Sequence, residues 1–459
     1  MERAKPFLAL LIAWVVAAAS PSGLANPYAK TLDNGLKVIV KEDRRAPVVV
    51  SQLWYRVGSM DEMNGVTGVS HVLEHMMFKG TQKVPAGEFS RLIAAAGGRE
   101  NAFTSRDYTA YFQILHASKL PLATRLEADR MRNLTLSEQE FQKEIKVVME
   151  ERRWRTEDRP RALLFEQLMA VSLLVHPYRH PVIGWMSDLQ SMTVRDVRDW
   201  YHRWYAPNNA TLVVVGDVKA EEVFKLAQRY YGKYKPTALP VRKLQQEPAQ
   251  RGVRRVTVKA PAKLPYLLMG YQAEPLRDAR NDWEPYALAV LAGVLDGYSA
   301  ARLNRELVRE SRLAQSVGAE YDLLARGPSL FLLEGTPSEG RTAAELEAAL
   351  REQVQRIAER GVDQEELDRV KAQVVASRVY SRDSMFSQAM QIGQLEMVGL
   401  SYQDLDVLIE KLQAVTAEQV QAVAKKYLVD DRLTVAILDP QPLDEARPAR
   451  PPEGLRHGE

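Results

Sequence analysis

Two histidines and a glutamate lie close together near the start of the chain, in types and spacing that suit metal chemistry. His71, Glu74 and His75 form an H-x-x-E-H pattern within residues 67–81, and glycines stand on both sides of it. This punctuation predicts a short helix entered from a loop. Residues four apart on a helix share one face, so both imidazoles can reach a single ion, and Glu74 lies near the same point.

The pattern is typical of a catalytic zinc site of the inverted zincin kind. Two neutral imidazoles leave zinc with open coordination positions, and zinc lowers the pKa of a bound water to about 7. A neighbouring carboxylate can then take the proton as the water attacks a carbonyl carbon. The alternative is a surface helix with two unrelated histidines, which the small number of histidines, seven in the chain, makes a poor explanation. A catalytic site of this kind still needs a third protein ligand.

A second predicted helix, residues 141–154, offers that ligand. Its apolar residues fall on one face, and Glu144 and Glu151 are two helical turns apart, so they project on roughly the same side. Glu150, next to Glu151, has the same chemistry and is an alternative ligand. On the residues alone, the acidic pair is better explained as part of a solvated helix face.

The chain resembles the M16 metallopeptidases, the group of pitrilysin, insulin-degrading enzyme and mitochondrial processing peptidase. The resemblance rests on H-V-L-E-H at 71–75, F-K-G-T at 78–81, and the position of Glu151 relative to His75 (151 − 75 = 76). It implies that His71, His75 and Glu151 bind one Zn²⁺ per chain. It also implies that Glu74 is the catalytic general base and that Glu144 is the supporting acidic residue of the catalytic site. Glu150 is excluded as a ligand by this spacing alone.

The segment Asn101–Thr104 precedes a strand-like run, residues 108–114. In the resembled family an N-A-x-T segment is an edge strand near the zinc, to which an extended substrate peptide adds by main-chain pairing. The resemblance therefore marks Asn101 and Ala102 as substrate-binding residues. On the residues alone, Asn101 is better explained as the end of a turn.

The first 25 residues predict a secretory signal peptide. Arg3 and Lys5 precede an apolar run at 7–19, and a small-x-small site at 23–25 predicts cleavage near Ala25–Asn26. The run is shorter than the roughly 20 residues needed to span a bilayer. No later stretch is long and apolar enough to do so, and we therefore expect no stable membrane insertion. An uncleaved anchor is the alternative. The predicted location is the periplasm of a Gram-negative bacterium.

Composition excludes several classes of function. The chain is 46% hydrophobic and 26% charged with a net charge of +3, which gives no reason to expect a nucleic-acid partner. It has no cysteine, so a thiol nucleophile and a thiolate zinc site are excluded. The 459 residues exceed what one core usually holds, and at least two domains are expected.

An internal repeat predicts that these domains are homologous. A helix start, T-x-x-x-V, recurs at Thr193 and Thr416, and the strand that follows it recurs at Thr211 and Thr434, with one offset (416 − 193 = 434 − 211 = 223). The fold class predicted is α+β, with two homologous α/β-roll domains of the M16 (LuxS/MPP-like) type in one chain, as the resemblance also implies. The predicted units are a zinc-bearing domain at 26–232, a linker at 233–252, a domain without metal at 253–439, and a disordered proline-rich tail at 440–459.

The chain departs from the family in its second half. Self-sufficient members carry an Arg and a Tyr seven residues apart that assist at the substrate carbonyl, and the equivalent positions here hold Val308 and Gln315. Arg309, Arg312 and Tyr321 lie nearby and could form a shifted pair.

The sequence therefore predicts an exported zinc-dependent endopeptidase or oligopeptidase that hydrolyses unfolded peptides. We expect it to be the zinc-bearing subunit of a heterodimer whose other subunit is homologous and carries the Arg/Tyr pair. A homodimer is the alternative assembly. The alternative functions are a non-catalytic M16 scaffold and a peptide-binding subunit with structural zinc, which would need four protein ligands.

Overall fold

Strands and helices follow one another in nearly the same order in the two halves of the chain. The computed structural model describes residues 26–243 and 245–443, so the predicted signal peptide and the predicted tail from residue 444 lie outside the described residues. The strands of the first half are β1 (Tyr28–Thr31), β2 (Lys37–Glu42), β3 (Val48–Tyr55), β4 (Arg99–Thr104), β5 (Thr109–His116) and β6 (Ala210–Gly216). Its helices are α1 (Val69–Met76), α2 (Glu88–Ala95), α3 (Leu120–Asn133), α4 (Glu138–Arg152), α5 (Pro160–Ser172), α6 (Met186–Ser191), α7 (Val194–Trp204) and α8 (Ala220–Tyr231).

The second half repeats this plan with five strands. They are β7 (Arg254–Pro261), β8 (Tyr266–Ala273), β9 (Ala314–Tyr321), β10 (Ser329–Pro337) and β11 (Leu433–Gln441). Its helices are α9 (Glu284–Asp296), α10 (Ala343–Arg360), α11 (Gln364–Tyr380), α12 (Met385–Val398), α13 (Leu405–Ala414) and α14 (Ala417–Tyr427).

The two sheets have the same topology. Their strand orders are β1-β2-β6-β3-β5-β4 and β7-β11-β8-β10-β9. The last strand of each half, β6 or β11, enters the middle of its sheet, parallel to one neighbour and antiparallel to the other. Thr193 and Thr416 each close a capping box at the start of the preceding helix. The mixed content and the duplicated topology confirm the predicted fold class.

One helix from each half packs on the sheet of the other half. Leu164 and Leu168 of α5 are buried against Leu268 and Ala436 of the second sheet. In return, α12 packs on the first sheet, where Ile392 joins a cluster that includes Trp54 and Val213. Each sheet therefore has its own helices on one face and a helix of the other half on the opposite face. Through this exchange each half buries part of the apolar surface of the other.

The linker and the end of the second sheet differ in how closely they follow the prediction. Within 233–252 the described residues form no helix or strand. At the carboxyl end, β11 continues to Gln441, and Pro440 pairs with Ala260 of β7, so the sheet extends two residues into the predicted tail. Beyond Leu438 the strand pairs with β7 alone, an edge position that tolerates proline. No helix in residues 26–243 or 245–443 has the length and apolar character needed to cross a membrane.

Gly393 is the point of closest approach between α12 and the first sheet, and it gives a test of the exchange. A Cβ atom at this position would lie 2.1 Å from Cε2 of the fully buried Trp54. We expect Gly393→Ala to lower the free energy of unfolding by about 1–3 kcal/mol because the added methyl overpacks a buried contact. Replacing glycine in a helix normally stabilises by about 1 kcal/mol, so the expected sign is the reverse of the usual one.

Thermal unfolding followed by circular dichroism would measure the change. The double variant Trp54→Phe/Gly393→Ala should lose less than the sum of its two single changes, since the smaller ring makes room for the methyl. A Gly393→Ala protein more stable than wild type would show that α12 does not dock on Trp54 in this way.

Candidate metal centre

The helix that carries the two histidines is fixed firmly at its amino end. Gly68 precedes α1 with a φ of 87°, and a Cβ there would lie 2.5 Å from the carbonyl oxygen of Ile183. The carboxylate of Glu62 accepts hydrogen bonds from the backbone N–H groups of Gly68 (2.7 Å) and Ser70 (2.8 Å). Burial raises the pKa of Glu62 to about 7, while these hydrogen bonds and the helix dipole favour its ionised form. All eight residues of α1 are buried. Its side chains are therefore held in one orientation.

Helix α4 brings one carboxylate to the histidines. Nε2 of His75 lies 3.2 Å from Oε2 of Glu151, and Nε2 of His71 lies 3.8 Å from the same oxygen. One ligand atom from each of the three residues lies within 4.8 Å of the others. All three residues are buried, and Glu151 is fully so. Glu150 instead points outward, where it pairs with Arg153 and its side chain is 56% exposed. The structure thus places Glu151, and not Glu150, beside the two imidazoles.

The charges of this cluster favour a cation among its ligand atoms. Burial acts to lower the pKa of His75, but Glu144 and Glu151 outweigh it and raise that pKa to about 9. Burial acts to raise the pKa of Glu151, yet His75, His71 and Arg155 lower it to about 2. Two imidazoles and an ionised carboxylate are the donor set that catalytic zinc uses in His₂Glu sites. The residues therefore fit zinc.

Glu144 contacts the back of the imidazole of His75. Its Oε1 lies 3.1 Å from Nδ1 of His75, and its other carboxylate oxygen forms an ion pair with Nζ of Lys79. A carboxylate on one ring nitrogen fixes the tautomer and leaves the other nitrogen available as a ligand. Glu144 thus orients His75 rather than facing the space between the three ligand atoms. Lys79 belongs to the F-K-G-T segment, whose role the sequence alone did not indicate.

Glu74 lies on the same helix and is joined to the first sheet. The hydroxyl of Thr104, the last residue of β4, donates a hydrogen bond to Oε2 of Glu74. Glu74 is 1% exposed. Strand β4 is the edge of the sheet, paired with β5 on one side only. On this strand Asn101 is half-buried and Ala102 is buried, and Oδ1 of Asn101 accepts a hydrogen bond of 2.9 Å from the N–H of Ala102. The two predicted substrate-binding residues therefore lie on the edge strand that ends at Glu74.

A cavity of about 350 Å³ opens beside the metal ligands. His71, Glu151 and Thr104 line one side of it, and apolar side chains that include Phe165 and Met169 of α5 line another. The structure thus puts the candidate ligands at the wall of a space that can admit part of a substrate.

Comparison with known proteins identifies the family. The model of the insulinase domain of peptidase family M16 matches residues 37–184, and the model described as the Peptidase M16 inactive domain matches residues 191–374. The zinc protease PqqE of Helicobacter pylori is 32% identical over 424 residues, which cover 89% of this chain and 92% of that protein. The chain belongs to peptidase family M16. The resemblance inferred from the sequence is thereby confirmed.

Two solved structures share this M16 fold. A protease from Helicobacter pylori superposes with a TM-score of 0.85 at 30% identity, covering 90% of this chain and all of that chain. The periplasmic protease PqqL from Escherichia coli superposes with a TM-score of 0.78 at 19% identity. That match covers 92% of this chain but 49% of PqqL, so the PqqL chain is about twice as long as the matched unit.

Val308 and Gln315, the positions at which the family's Arg and Tyr were expected, lie on or beside the second sheet. Gln315 is exposed on β9, which occupies the edge that β4 occupies in the first sheet. The pairing register between β9 and β10 shifts at this residue. Ala314 pairs with Pro337 and Ser316 with Thr336, so Gln315 is the extra residue of a β-bulge. Bulges of this kind re-aim a side chain. Val308 is half-buried and packs against the second core.

The three residues considered for a shifted Arg/Tyr pair differ in exposure and in hydrogen bonding. Arg309 and Arg312 are exposed, and Arg312 has a φ of 52°. Tyr321 is half-buried and its hydroxyl donates a hydrogen bond to the carbonyl of Glu274. Tyr321 would have to break this bond before it could contact a substrate.

The other four histidines of the described residues lie outside the ligand cluster. His116 and His202 are exposed. His176 is buried, its Nδ1 accepts a hydrogen bond from the N–H of Tyr178, and burial lowers its pKa to about 4. His180 is also buried and lines the cavity beside the metal ligands.

Proposed function

We propose that this M16 chain is an exported, zinc-dependent endopeptidase or oligopeptidase that hydrolyses peptide bonds of unfolded peptides. The observation that carries the proposal is the convergence of His71, His75 and Glu151 within 4.8 Å, with the carboxylate of Glu74 on the same helix. The names of its relatives, which are zinc proteases, support the reaction class. The amino-terminal sequence supports export, and the similarity to PqqL, which is described as a periplasmic protease, is consistent with it.

Each residue has a separate role in the proposed reaction. His71, His75 and Glu151 hold one zinc ion, and Glu144 positions His75 with the help of Lys79. When bound, zinc supplies Lewis acidity for the scissile carbonyl and lowers the pKa of a water molecule.

Glu74 accepts the proton of the attacking water and later returns it to the leaving amine. The Thr104 hydroxyl holds the Glu74 carboxylate at the end of β4, where the substrate backbone arrives. Because Glu74 is buried, its carboxylate is shielded from bulk water.

The edge of β4 provides the proposed substrate site. Peptide binding by strand addition needs an edge with free main-chain groups, and it places few demands on sequence. The N–H of Ala102 is held by the side chain of Asn101. A rotation of Asn101 would release this N–H to a carbonyl of the peptide. This is the role we propose for the two residues.

We further propose that the chain works with a homologous M16 subunit that carries the Arg/Tyr pair. The positions of that pair hold Val308 and Gln315 here, and the Gln315 side chain, although it can donate a hydrogen bond, is shorter than tyrosine. The double length of PqqL relative to the matched unit is consistent with a second two-domain unit facing the first. A homodimer that uses Arg309, Arg312 or Tyr321 is the alternative assembly.

The partner proposal predicts low peptidase activity for the isolated chain. One oxyanion donor contributes about 10²–10³ in rate, so we expect a homologous subunit with the Arg/Tyr pair to raise kcat at least about tenfold. That subunit should be inactive alone. The measurement is hydrolysis of a quenched peptide over a concentration series of the chain, with and without the second subunit.

Variants of the chain separate the two assemblies. Full activity of the chain alone that is lost in Arg309→Ala, Arg312→Ala or Tyr321→Phe would favour the homodimer and refute the heterodimer. A non-catalytic scaffold or a peptide-binding subunit would cleave no peptide under any of these conditions.

A further inference from the structure

A half-buried arginine lines the cavity beside the candidate metal ligands and has no role in the proposed chemistry. Arg106 lines the same cavity of about 350 Å³ as His71 and Glu151. Its Nε is buried, and among the described residues this nitrogen has no hydrogen-bond partner. Burial lowers the pKa of Arg106, because the guanidinium has lost part of its hydration.

Rings hold the guanidinium in place without neutralising it. Its carbon lies 5.5 Å from the ring centre of Tyr178 and 6.0 Å from that of Phe165. The acidic neighbour Asp107 is already bonded, since it accepts hydrogen bonds from the hydroxyl of Tyr178 and the N–H of Arg326. Arg106 is therefore a positioned cation whose charge is only partly compensated.

The acidic residues of the cavity are engaged by other groups. Glu151 contacts the two histidines, and its other oxygen lies 3.0 Å from Nε of Arg155. Glu166 accepts two hydrogen bonds from Arg152, of 2.9 and 3.0 Å. The cavity thus has positive charge left over, to which a bound metal ion would add.

The position of the cavity relates it to one substrate side chain. Thr104, the last residue of β4, lines the cavity together with the metal ligands. A peptide that pairs along β4 therefore passes the mouth of the cavity as it reaches Glu74. Because side chains of a strand alternate between faces, one residue beside the scissile bond would enter the cavity. Phe165, Met169 and Ile183 offer apolar walls for its methylene groups.

We propose that Arg106 makes this cavity selective for an acidic side chain next to the cleaved bond, with glutamate as the preferred residue. This inference rests on the proposed peptidase function and on the substrate path along β4. The neighbouring cleft is consistent with an acidic substrate, since eight arginine and lysine side chains and four acidic ones line it. That cleft shares Arg179 and His180 with the cavity.

The test uses peptides that differ at one residue. Mass spectrometry of cleaved peptide mixtures would first locate the bond and the residues on each side of it. Peptides with Glu, Gln or Leu at each of these positions are then compared for hydrolysis by the wild-type chain. They are also compared for binding, by fluorescence anisotropy, to the zinc-loaded Glu74→Gln variant. If no peptide is hydrolysed, the binding series is made on an acidic peptide in which each Glu is replaced in turn.

We expect the Glu peptide to be favoured over the Gln peptide at least about tenfold in kcat/KM and in affinity, because a guanidinium positioned in a cavity prefers a carboxylate partner. Arg106→Gln should remove this preference and leave the Gln peptide nearly unaffected, while Arg106→Lys should keep part of it. Arg161→Gln is the matched control, since this arginine of α5 stacks on Tyr266 and does not line the cavity.

The binding series separates failure of this proposal from failure of the peptidase proposal. A chain that cleaves no peptide, with or without the second subunit, but binds the Glu peptide through Arg106 would refute the enzyme and support the acidic pocket. Three outcomes would overturn the pocket assignment. They are equal kcat/KM and affinity for the Glu and Gln peptides, a preference for the Leu peptide, and a preference for Glu that persists in Arg106→Gln. If Arg106→Gln does not fold, the Arg106→Lys variant and the wild-type comparison of Glu with Gln decide the same question.

Discussion

Glu74→Gln should keep its zinc and lose peptide hydrolysis by about three orders of magnitude or more. A general base typically contributes about 10²–10⁴ in rate, and the amide of glutamine cannot take the proton. The substitution changes little else, because the amide oxygen can still accept the hydrogen bond from Thr104. Since position 74 is 1% exposed, bulk water has little access to replace the missing base.

The experiment compares kcat with zinc content measured on the same samples. Loss of activity with full zinc assigns the proton transfer to Glu74, whereas loss of both would mean that the substitution disturbed the site. Glu140→Gln is a suitable control. Glu140 lies on α4, the helix that carries Glu151, but it is near the amino end of that helix and pairs with Lys143. Hydrolysis at the wild-type rate by Glu74→Gln would exclude Glu74 as the base.

The convergence of the three candidate metal ligands could be predicted because their geometry is local or is fixed by a characteristic spacing. The H-x-x-E-H pattern sets two ligands on one turn of α1, and no knowledge of the rest of the fold is needed for that step. Glu151 lies on a different helix, and its separation from His75 along the chain singled it out over Glu150. The structure places these two glutamates on different faces of α4, one buried and one exposed.

The residues that support the site could not be predicted in the same way. Glu62 caps α1 from a loop, and Lys79 reaches Glu144 from the turn after the helix. Thr104 reaches Glu74 from a strand that follows much later in the chain. Their side chains are common in loops and turns, so only the three-dimensional contacts distinguish them. The N-A-x-T segment did indicate the strand, but not the hydrogen bond that its threonine makes.

Helices α5 and α12 show the same limit at the level of the fold. The repeated helix start and strand predicted two homologous halves, and both sheets have the expected topology. The pattern gave no sign that each half lends a helix to the other. Leu164 and Leu168 of α5 are buried by strands of the second half, which are distant in the chain, so their environment is absent from any local window.

The second half carries apolar residues where the first half carries the two histidines. Helix α9 lies between β8 and β9 in the chain, as α1 lies between β3 and β4. It contains no histidine, and its buried residues include Leu288, Leu291 and Val294, which belong to the second core. The duplicated position has thus become part of an apolar core. The chemistry proposed for this protein is left to the first half.

The ligand assignment has an equally large expected effect on zinc content. We expect the purified chain to bind about one zinc ion, and His71→Ala or His75→Ala to bind almost none, because each removes one of three protein ligands from a buried site. Glu151→Gln should weaken zinc binding by more than the about 10- to 100-fold that a supporting partner contributes. Glu150→Gln should leave it unchanged, since Glu150 pairs with Arg153 on the outer side of α4. Zinc titration of the four variants measures these differences. Equal zinc content in wild type and the histidine variants would refute the site. Weak zinc binding by Glu150→Gln together with normal binding by Glu151→Gln would assign the third ligand to Glu150.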